Sequence, residues 1–140
     1  MFRIGETERK LLEAASKGTE NAYVLWGFKV GAAVLAEDGQ VYVGCNVESW
    51  VSGLGTCAER CAIDHAVLHG NRRIMEIAIV TNEEKRAKPR PCGVCLQYIH
   101  DFAGNSKIKI LMAQTERGKI APETVEVKTL GELLPFPYGK

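Results

Sequence analysis

The chain has 140 residues, enough for one domain, and its 46% hydrophobic and 25% charged residues are typical of a globular protein. Its 18 basic and 17 acidic residues give a net charge of +1, which excludes a strong overall field that would attract nucleic acid or an anionic membrane. The sequence contains no run of ~20 apolar residues, as a membrane span requires, and no apolar core of a signal peptide near its start. We therefore expect a cytoplasmic protein whose 5 cysteines stay reduced and available to metals.

Hydrophobic periodicity and turn residues divide the chain into helices and strands. In chain order, the sequence predicts a helix over residues 6–17, strands over 29–35 and 40–47, a helix over 57–69, a strand over 74–81, a helix over 92–102, strands over 107–114 and 124–127, and a helical turn over 129–134. Helices that alternate with strands in this way predict an α/β fold, a three-layer α/β/α arrangement with a mixed sheet of about five strands. No internal repeat or linker interrupts the pattern, so residues 1–140 are expected to form a single domain.

Two short segments carry candidate catalytic residues: Thr-Cys-Ala-Glu-Arg at 56–60 and Pro-Cys-Gly-Val-Cys at 91–95. Their three thiols, Cys57, Cys92 and Cys95, are spaced to hold one zinc ion. A site with three protein ligands keeps a fourth position open for a reactive water, whereas four protein ligands make a structural site. Because Glu59 lies two residues after the first thiol, it is the candidate acid/base for such a water.

The charge of such a centre needs compensation. Three thiolates around Zn²⁺ leave a net charge of −1, which opposes the ionisation of a bound water. Both cysteine segments are predicted to open helices, and the N-terminal end of a helix favours negative charge. Arg60, beside Glu59, adds a positive charge, so the sequence predicts a metal centre that helix ends and Arg60 help to neutralise.

Two other roles for the cysteines stay open at this point. A Cys-x-x-Cys pair also serves redox centres, but such a centre needs no third thiol with a carboxylate two residues later. Cys61, one helical turn after Cys57, could complete a structural site with four thiolates, which would leave Glu59 and Arg60 unexplained. We interpret Cys61 and Cys45 as small buried residues rather than ligands.

The remaining chemically versatile side chains are interpreted more simply. His65, His69 and His100 are expected to be ordinary helix residues, because the His-Glu-x-x-His zinc pattern is absent. A local group of basic residues is interpreted as a solvated loop rather than a binding patch. Its members are Lys85, Arg86, Lys88 and Arg90.

The two cysteine segments, the second extended to Gln97, resemble the cytidine deaminases, in particular the small type whose zinc ligands are all cysteines. The resemblance runs over nearly the whole chain and includes Phe-Lys-Val-Gly-Ala-Ala at 28–33, Gly-Cys-Asn-Val-Glu at 44–48 and Glu-Leu-Leu-Pro at 132–135. It implies a cytidine-deaminase-like fold and one zinc per chain, held by the three cysteines of these segments. It also implies a homotetramer whose active sites are shared between subunits.

The resemblance assigns roles to individual residues. Glu59 would shuttle protons, and Phe28 would pack against the pyrimidine ring. Asn46 and Glu48 would hydrogen-bond the ribose 3′-hydroxyl, which an amide and a carboxylate can grip as donor and acceptor. The other expectations are a substrate contact by Ala58, support of the metal ligands by Arg60 and Gln97, and, for Tyr138, a reach into the site of a neighbouring subunit.

Several positions depart from the family pattern. Lys29 replaces a common proline, and the segment 23–28 is one residue short. Trp50 and Ser52 belong to a stretch, 49–52, that replaces the usual Asn-Ala-x-Tyr, and Leu96 stands where an arginine is common. These departures leave the metal chemistry intact and bear on substrate range and packing.

The function implied is zinc-dependent hydrolytic deamination of cytidine, and of 2′-deoxycytidine, to uridine or deoxyuridine and ammonia in pyrimidine salvage. Among enzymes, the alternative is a deaminase of another aminopyrimidine such as blasticidin S. From another class, the alternative is a structural-zinc interaction module. A polynucleotide substrate is not expected, because the near-neutral charge lacks a basic footprint and a site closed around a free 3′-hydroxyl excludes a continuing chain.

Overall fold

The computed structural model describes residues 4–82 and 88–139. The helices are α1 (Glu6–Gly18), α2 (Ala58–Leu68), α3 (Gly93–Phe102) and α4 (Leu130–Leu133). The strands are β1 (Val30–Ala36), β2 (Val41–Cys45), β3 (Ile74–Asn82), β4 (Lys109–Glu116), β5 (Lys119–Ile120) and β6 (Glu126–Thr129). Short 3₁₀ turns lie at Thr19–Asn21 and Pro122–Thr124. Within the described ranges, no helix has the length and apolar character needed to cross a membrane.

The strands form one mixed sheet in the order β2-β1-β3-β4-β5, with β6 also paired to β4. β1 runs antiparallel to both β2 and β3, whereas β3 and β4 run parallel. β5 and β6 pair with opposite ends of β4. The mixed sheet is therefore confirmed, and the described part of the chain contributes six strands to it rather than about five. The strand missed, β5, is two residues long, too short to show an alternating pattern.

The sheet separates two apolar cores. One face packs against α1 and buries the residues Leu11, Leu12, Ala15, Ala33, Ala78, Val80, Leu111 and Ala113. The other face packs against α2 and α3 and buries a larger set that includes Ile63, Ile77, Ile79, Leu96, Ile99 and Ile110. Two glycines permit the close approach: a Cβ on Gly31 would lie 1.9 Å from the Ala15 carbonyl oxygen, and one on Gly44 would lie 2.3 Å from the Ala62 nitrogen. This arrangement confirms the three-layer fold.

Most helix and strand boundaries lie within two residues of those predicted from turn and breaker residues. Gly39 and Gly70 take φ values of +81° and +94°, which glycine adopts without strain, at the β1–β2 turn and just beyond α2. The prediction of a strand over 124–127 was wrong at its start. Thr124 instead ends a 3₁₀ turn, where its hydroxyl donates to the Ala121 carbonyl at 2.6 Å, and β6 begins at Glu126.

Glu76 is an acidic residue on the sheet face that packs against α1. Burial, reinforced by the charge of Glu8 on α1, raises the pKa of Glu76 to about 7, while Lys109 acts in the opposite direction. Its Oε1 atom is buried without a hydrogen-bond partner in the described part of the chain. Because the folded-state pKa lies above the unfolded value of 4.5, ionisation of Glu76 opposes folding as the pH rises between these values.

We therefore expect Glu76→Gln to stabilise the protein at neutral and alkaline pH. The gain in free energy of unfolding should be small below pH ~4.5, where the carboxyl is protonated in both the folded and the unfolded state. It should grow as the pH approaches 7 and then level off. Because solvent partly screens the charge, the plateau should be about 1–2 kcal/mol. Thermal unfolding followed at pH 5 and pH 8 measures the difference. A Tm gain that is equal at both pH values would contradict the assignment to ionisation of Glu76.

Candidate active site

The three predicted thiol ligands lie together at the N-terminal ends of two helices. Cys57 is the N-cap residue of α2, Cys92 is the N-cap of α3, and Cys95 lies in the first turn of α3. Their sulfur atoms all lie within 4.8 Å of one another. A tetrahedral zinc ion with Zn–S bonds of about 2.3 Å requires sulfur atoms about 3.8 Å apart, so the cluster fits one zinc ion with a small contraction.

The cluster stabilises negative charge before any metal is considered. Hydrogen bonding from the Cys95 thiol, together with Arg60, lowers the pKa of Cys57 to about 5. The guanidinium Nη2 atom of Arg60 donates to the Cys57 sulfur at 3.6 Å. The hydrogen bond between Cys95 and Cys57, together with burial, raises the pKa of the Cys95 thiol. The structure therefore places Arg60 and two helix N-termini beside the thiols, where they favour the thiolate form of cysteine, which is the form that binds zinc.

Glu59 lies in the first turn of α2 with its side chain turned into the protein. Its exposure is 5%, and burial, assisted by the charge of Cys57, raises the pKa of Glu59 to about 7. A carboxyl with a pKa near neutrality can both accept and release a proton at physiological pH. Glu59 is thus suited to general acid/base chemistry next to the thiol cluster.

A fourth thiol does not join the cluster. Within residues 4–82 and 88–139, the group of potential metal ligands consists of Cys57, Cys92 and Cys95. Cys61 instead neighbours Cys45, whose pKa is raised by burial and by the Cys61 thiol. This geometry favours a centre with three protein ligands and an open fourth position over the structural four-thiolate alternative.

A cavity of about 440 Å³ opens beside Glu59 and has the size of a small-molecule site. It is lined by Glu59 and by the four residues predicted to contact substrate: Phe28, Asn46, Glu48 and Ala58.

Two members of the basic group, Lys88 and Arg90, also line the cavity, and Arg90 pairs with Glu126 at 3.1 Å. The other two members, Lys85 and Arg86, lie outside the described residues.

Asn46 and Glu48 hold the loop that forms one wall of this cavity. The Asn46 amide accepts from the Val30 nitrogen and donates to the Phe28 carbonyl, both at 2.9 Å. Glu48 Oε1 accepts from the backbone nitrogens of Leu25 and Trp26 at 2.5 and 2.7 Å, and its Oε2 accepts from Gly27 at 3.1 Å. The three backbone donors lower the pKa of Glu48. Together, the bonds of Glu48 and Asn46 hold the backbone on both sides of Phe28.

Three of the residues discussed from the sequence lie elsewhere. Tyr138 is not among the cavity-lining residues of the described chain, and its ring is exposed. Gln97 bonds to the Tyr138 backbone in both directions, at 2.9 and 3.0 Å, and to Asp101 at 3.0 Å. Its support of the metal ligands remains a prediction. Leu96 is 8% exposed in the core, so an arginine at this position would bury a charge.

The structure also adds two cavity-lining residues that the sequence did not single out, Trp26 and Thr81. Trp26 lines the cavity, and its ring meets that of Trp50 edge to face, with centroids 5.3 Å apart. The two residues come from separate loops, so only the folded chain shows the pair. Thr81 lines the cavity as well, near the end of β3, and its hydroxyl is buried.

Known proteins match this chain over most of its length. A family model described as the cytidine and deoxycytidylate deaminase zinc-binding region matches residues 5–112. A cytidine deaminase of Sporosarcina psychrophila is 36% identical over 132 residues, which cover 94% of this chain and 90% of the relative. A blasticidin-S deaminase of Bacillus cereus is 28% identical over 145 residues, 99% of this chain and 97% of the relative.

Solved structures agree with these matches. The crystal structure of a cytidine deaminase from Burkholderia pseudomallei superposes with a TM-score of 0.79 at 35% identity, covering 96% of this chain and all of that one. The zinc-binding region of the family model spans the Cys57, Cys92 and Cys95 cluster, and together they fit one zinc ion per chain. Family model, relatives and fold therefore agree, and this chain belongs to the cytidine and deoxycytidylate deaminase family.

Proposed function

We propose that this protein is a zinc-dependent hydrolytic deaminase that converts cytidine and 2′-deoxycytidine to uridine and deoxyuridine with release of ammonia, as a step of pyrimidine salvage. One observation carries the proposal. A buried carboxyl, Glu59, lines a cavity of about 440 Å³ together with Phe28 and with two members of the three-thiol cluster that fits zinc, Cys57 and Cys92. In this proposal, residues 1–140 form one cytoplasmic deaminase domain.

The roles proposed for the residues follow from their positions. Cys57, Cys92 and Cys95 would hold the zinc ion, which when bound lowers the pKa of a water toward neutrality. Glu59 would accept one proton from that water and pass it to ring N3, and would then take the proton of the hydroxyl added at C4 and pass it to the amine, which leaves as ammonia. Its pKa of about 7 permits it to accept and release each proton. Phe28 packs against the pyrimidine, and Ala58, at the start of α2, lies where backbone N–H groups can meet it. Arg60 offsets the thiolate charge through its contact with Cys57.

Asn46 and Glu48 are proposed to bind the 3′-hydroxyl while they hold the loop. Each carboxylate oxygen can accept two hydrogen bonds, and Glu48 Oε2 accepts one, from Gly27, among the described residues. The remaining lone pair can accept the hydroxyl proton. The Asn46 nitrogen likewise keeps one hydrogen after its bond to Phe28.

Glu48→Ala should therefore have two separable effects. Loss of the loop contacts should raise KM for cytidine and for 3′-deoxycytidine alike. Loss of the charged hydrogen bond to the 3′-hydroxyl, worth ~1.5–3 kcal/mol, should reduce kcat/KM for cytidine by about a further tenfold or more. Steady-state kinetics on both nucleosides measures the two effects, with Glu123→Ala on an exposed 3₁₀ turn as a control of equal charge change. Equal losses on both substrates would remove Glu48 from recognition of the hydroxyl.

The decisive experiment for the reaction is a panel of purified aminopyrimidines assayed for ammonia release. It contains cytidine, 2′-deoxycytidine, free cytosine, a cytosine nucleotide and blasticidin S. The match to a blasticidin-S deaminase over 99% of this chain makes that compound the second candidate substrate. We expect the two nucleosides to give the highest kcat/KM, and a protein that releases ammonia from none of these compounds would refute the proposal.

We further propose a homotetramer in which Tyr138 reaches a neighbouring subunit. Tyr138 and Phe136 expose 86% and 92% of their surface although both are aromatic. Gln97 fixes the Tyr138 backbone, so the ring projects from a held segment. Light scattering after size exclusion gives the oligomeric state, and loss of activity in Tyr138→Ala with the assembly intact would support a role at the site.

A further inference from the structure

Thr81 occupies the polar end of an otherwise apolar row on the central strand. Its backbone lies between two neighbours, paired with Val30 of β1 and with Gln114 of β4. Because side chains alternate along a strand, Thr81 shares a face with Ile77 and Ile79, both buried in the core beneath α2 and α3. The row reaches the cavity at its end, where Ile79 and Thr81 both line it.

The hydroxyl of Thr81 is buried without a partner. Thr81 is 1% exposed, and its Oγ1 atom has no hydrogen-bond partner in the described part of the chain. Burying an unpaired hydroxyl opposes folding, and valine has the same shape without that penalty. Threonine at this position is therefore less favourable for the fold than valine, which indicates that the hydroxyl has another partner.

The surroundings of Thr81 define that partner. The wall near it is apolar, with Phe28, Val30 and Ile79 lining the same cavity. Asn46 uses its amide on the backbone of the loop. A flat aminopyrimidine ring fits such a wall, but its carbonyl, ring nitrogens and amine each require a hydrogen bond once water is excluded. A hydroxyl can donate or accept, so it suits any of these groups.

We propose that the Thr81 hydroxyl hydrogen-bonds the polar edge of the bound aminopyrimidine and is a substrate-binding residue of this site. The inference rests on the proposed deaminase function and adds a substrate contact from β3, an inner strand of the sheet whose end lines the cavity. Its direct consequence is that the hydroxyl lowers the stability of the free protein and increases its affinity for substrate.

Thr81→Val tests this directly, because it removes the hydroxyl and keeps the shape. We expect KM for cytidine to rise about five- to tenfold while the Tm of the free protein stays equal or increases. Thr81→Ser should keep KM within about twofold, since it retains the hydroxyl. Thr115→Val is the matched control, because Thr115 is a buried threonine of the same sheet that does not line the cavity. The equilibrium affinity for cytidine provides a readout that is independent of turnover. It is measured in a Glu59→Gln background with and without Thr81→Val.

The outcomes separate the two proposals. An unchanged KM and affinity in Thr81→Val would overturn the inference and leave a buried water as the partner of the hydroxyl. A lower Tm in Thr81→Val would also overturn it, because the hydroxyl would then contribute to the fold. Failure of the wild-type protein to deaminate any aminopyrimidine would refute the proposed function itself.

Discussion

Glu59→Gln is expected to retain one zinc per chain and to lose turnover of cytidine by about 10²–10⁴-fold. Glutamine has the size and polarity of glutamate but cannot accept the proton of the attacking water. Burial holds the pKa of Glu59 at about 7, so in the wild type the group can serve as base and then as acid at neutral pH. KM should change much less than kcat, because the interaction lost is made chiefly in the transition state.

Glu76→Gln is the matched control for this variant. Its carboxyl also has a pKa raised to about 7 by burial, but it faces Glu8 of α1 on the opposite side of the sheet. It should therefore alter stability and leave kcat unchanged. Zinc content by elemental analysis and single-turnover rates distinguish loss of chemistry from loss of metal. Turnover of Glu59→Gln within tenfold of wild type would remove Glu59 from the mechanism.

The sequence predicted the features that depend on local spacing. The cysteine segments were found from the spacing of their thiols, and the prediction that both open helices is confirmed, with Cys57 and Cys92 at helix N-termini. The alternation of helices and strands gave the three layers, and breakers such as Gly18 and Gly70 marked the ends of two of the helices. Residues whose role depends on their position at the start or end of a helix can be predicted from local spacing.

Features that depend on contacts between distant segments could not be predicted. Glu48 contacts the backbone of residues more than 20 positions earlier, and backbone N–H groups carry no sequence signature. Thr81 ends the predicted strand over 74–81, whose apolar residues suggested burial throughout. Only the folded structure shows that its buried hydroxyl is unpaired and that Thr81 lines the cavity. The Trp26–Trp50 pair likewise required the folded loops.

The second large effect is expected from Cys95→Ser, which should abolish stoichiometric zinc and activity together. Cys95 is fully buried in the first turn of α3, and serine keeps its volume but is a poor ligand for zinc beside two thiolates. Because metal binding stabilises the folded state, the Tm should fall, and chelator should no longer lower it further.

Cys61→Ala is the contrasting variant, one helical turn after Cys57 and outside the thiol cluster. It should keep one zinc per chain and most of the activity, because Cys61 neighbours Cys45 rather than the metal ligands. Loss of zinc in Cys61→Ala would indicate four protein ligands and a structural metal, since a zinc ion with four thiolates has no open position for water. Zinc retained in Cys61→Ala and lost in Cys95→Ser would instead leave the fourth position free, as hydrolytic chemistry beside Glu59 requires.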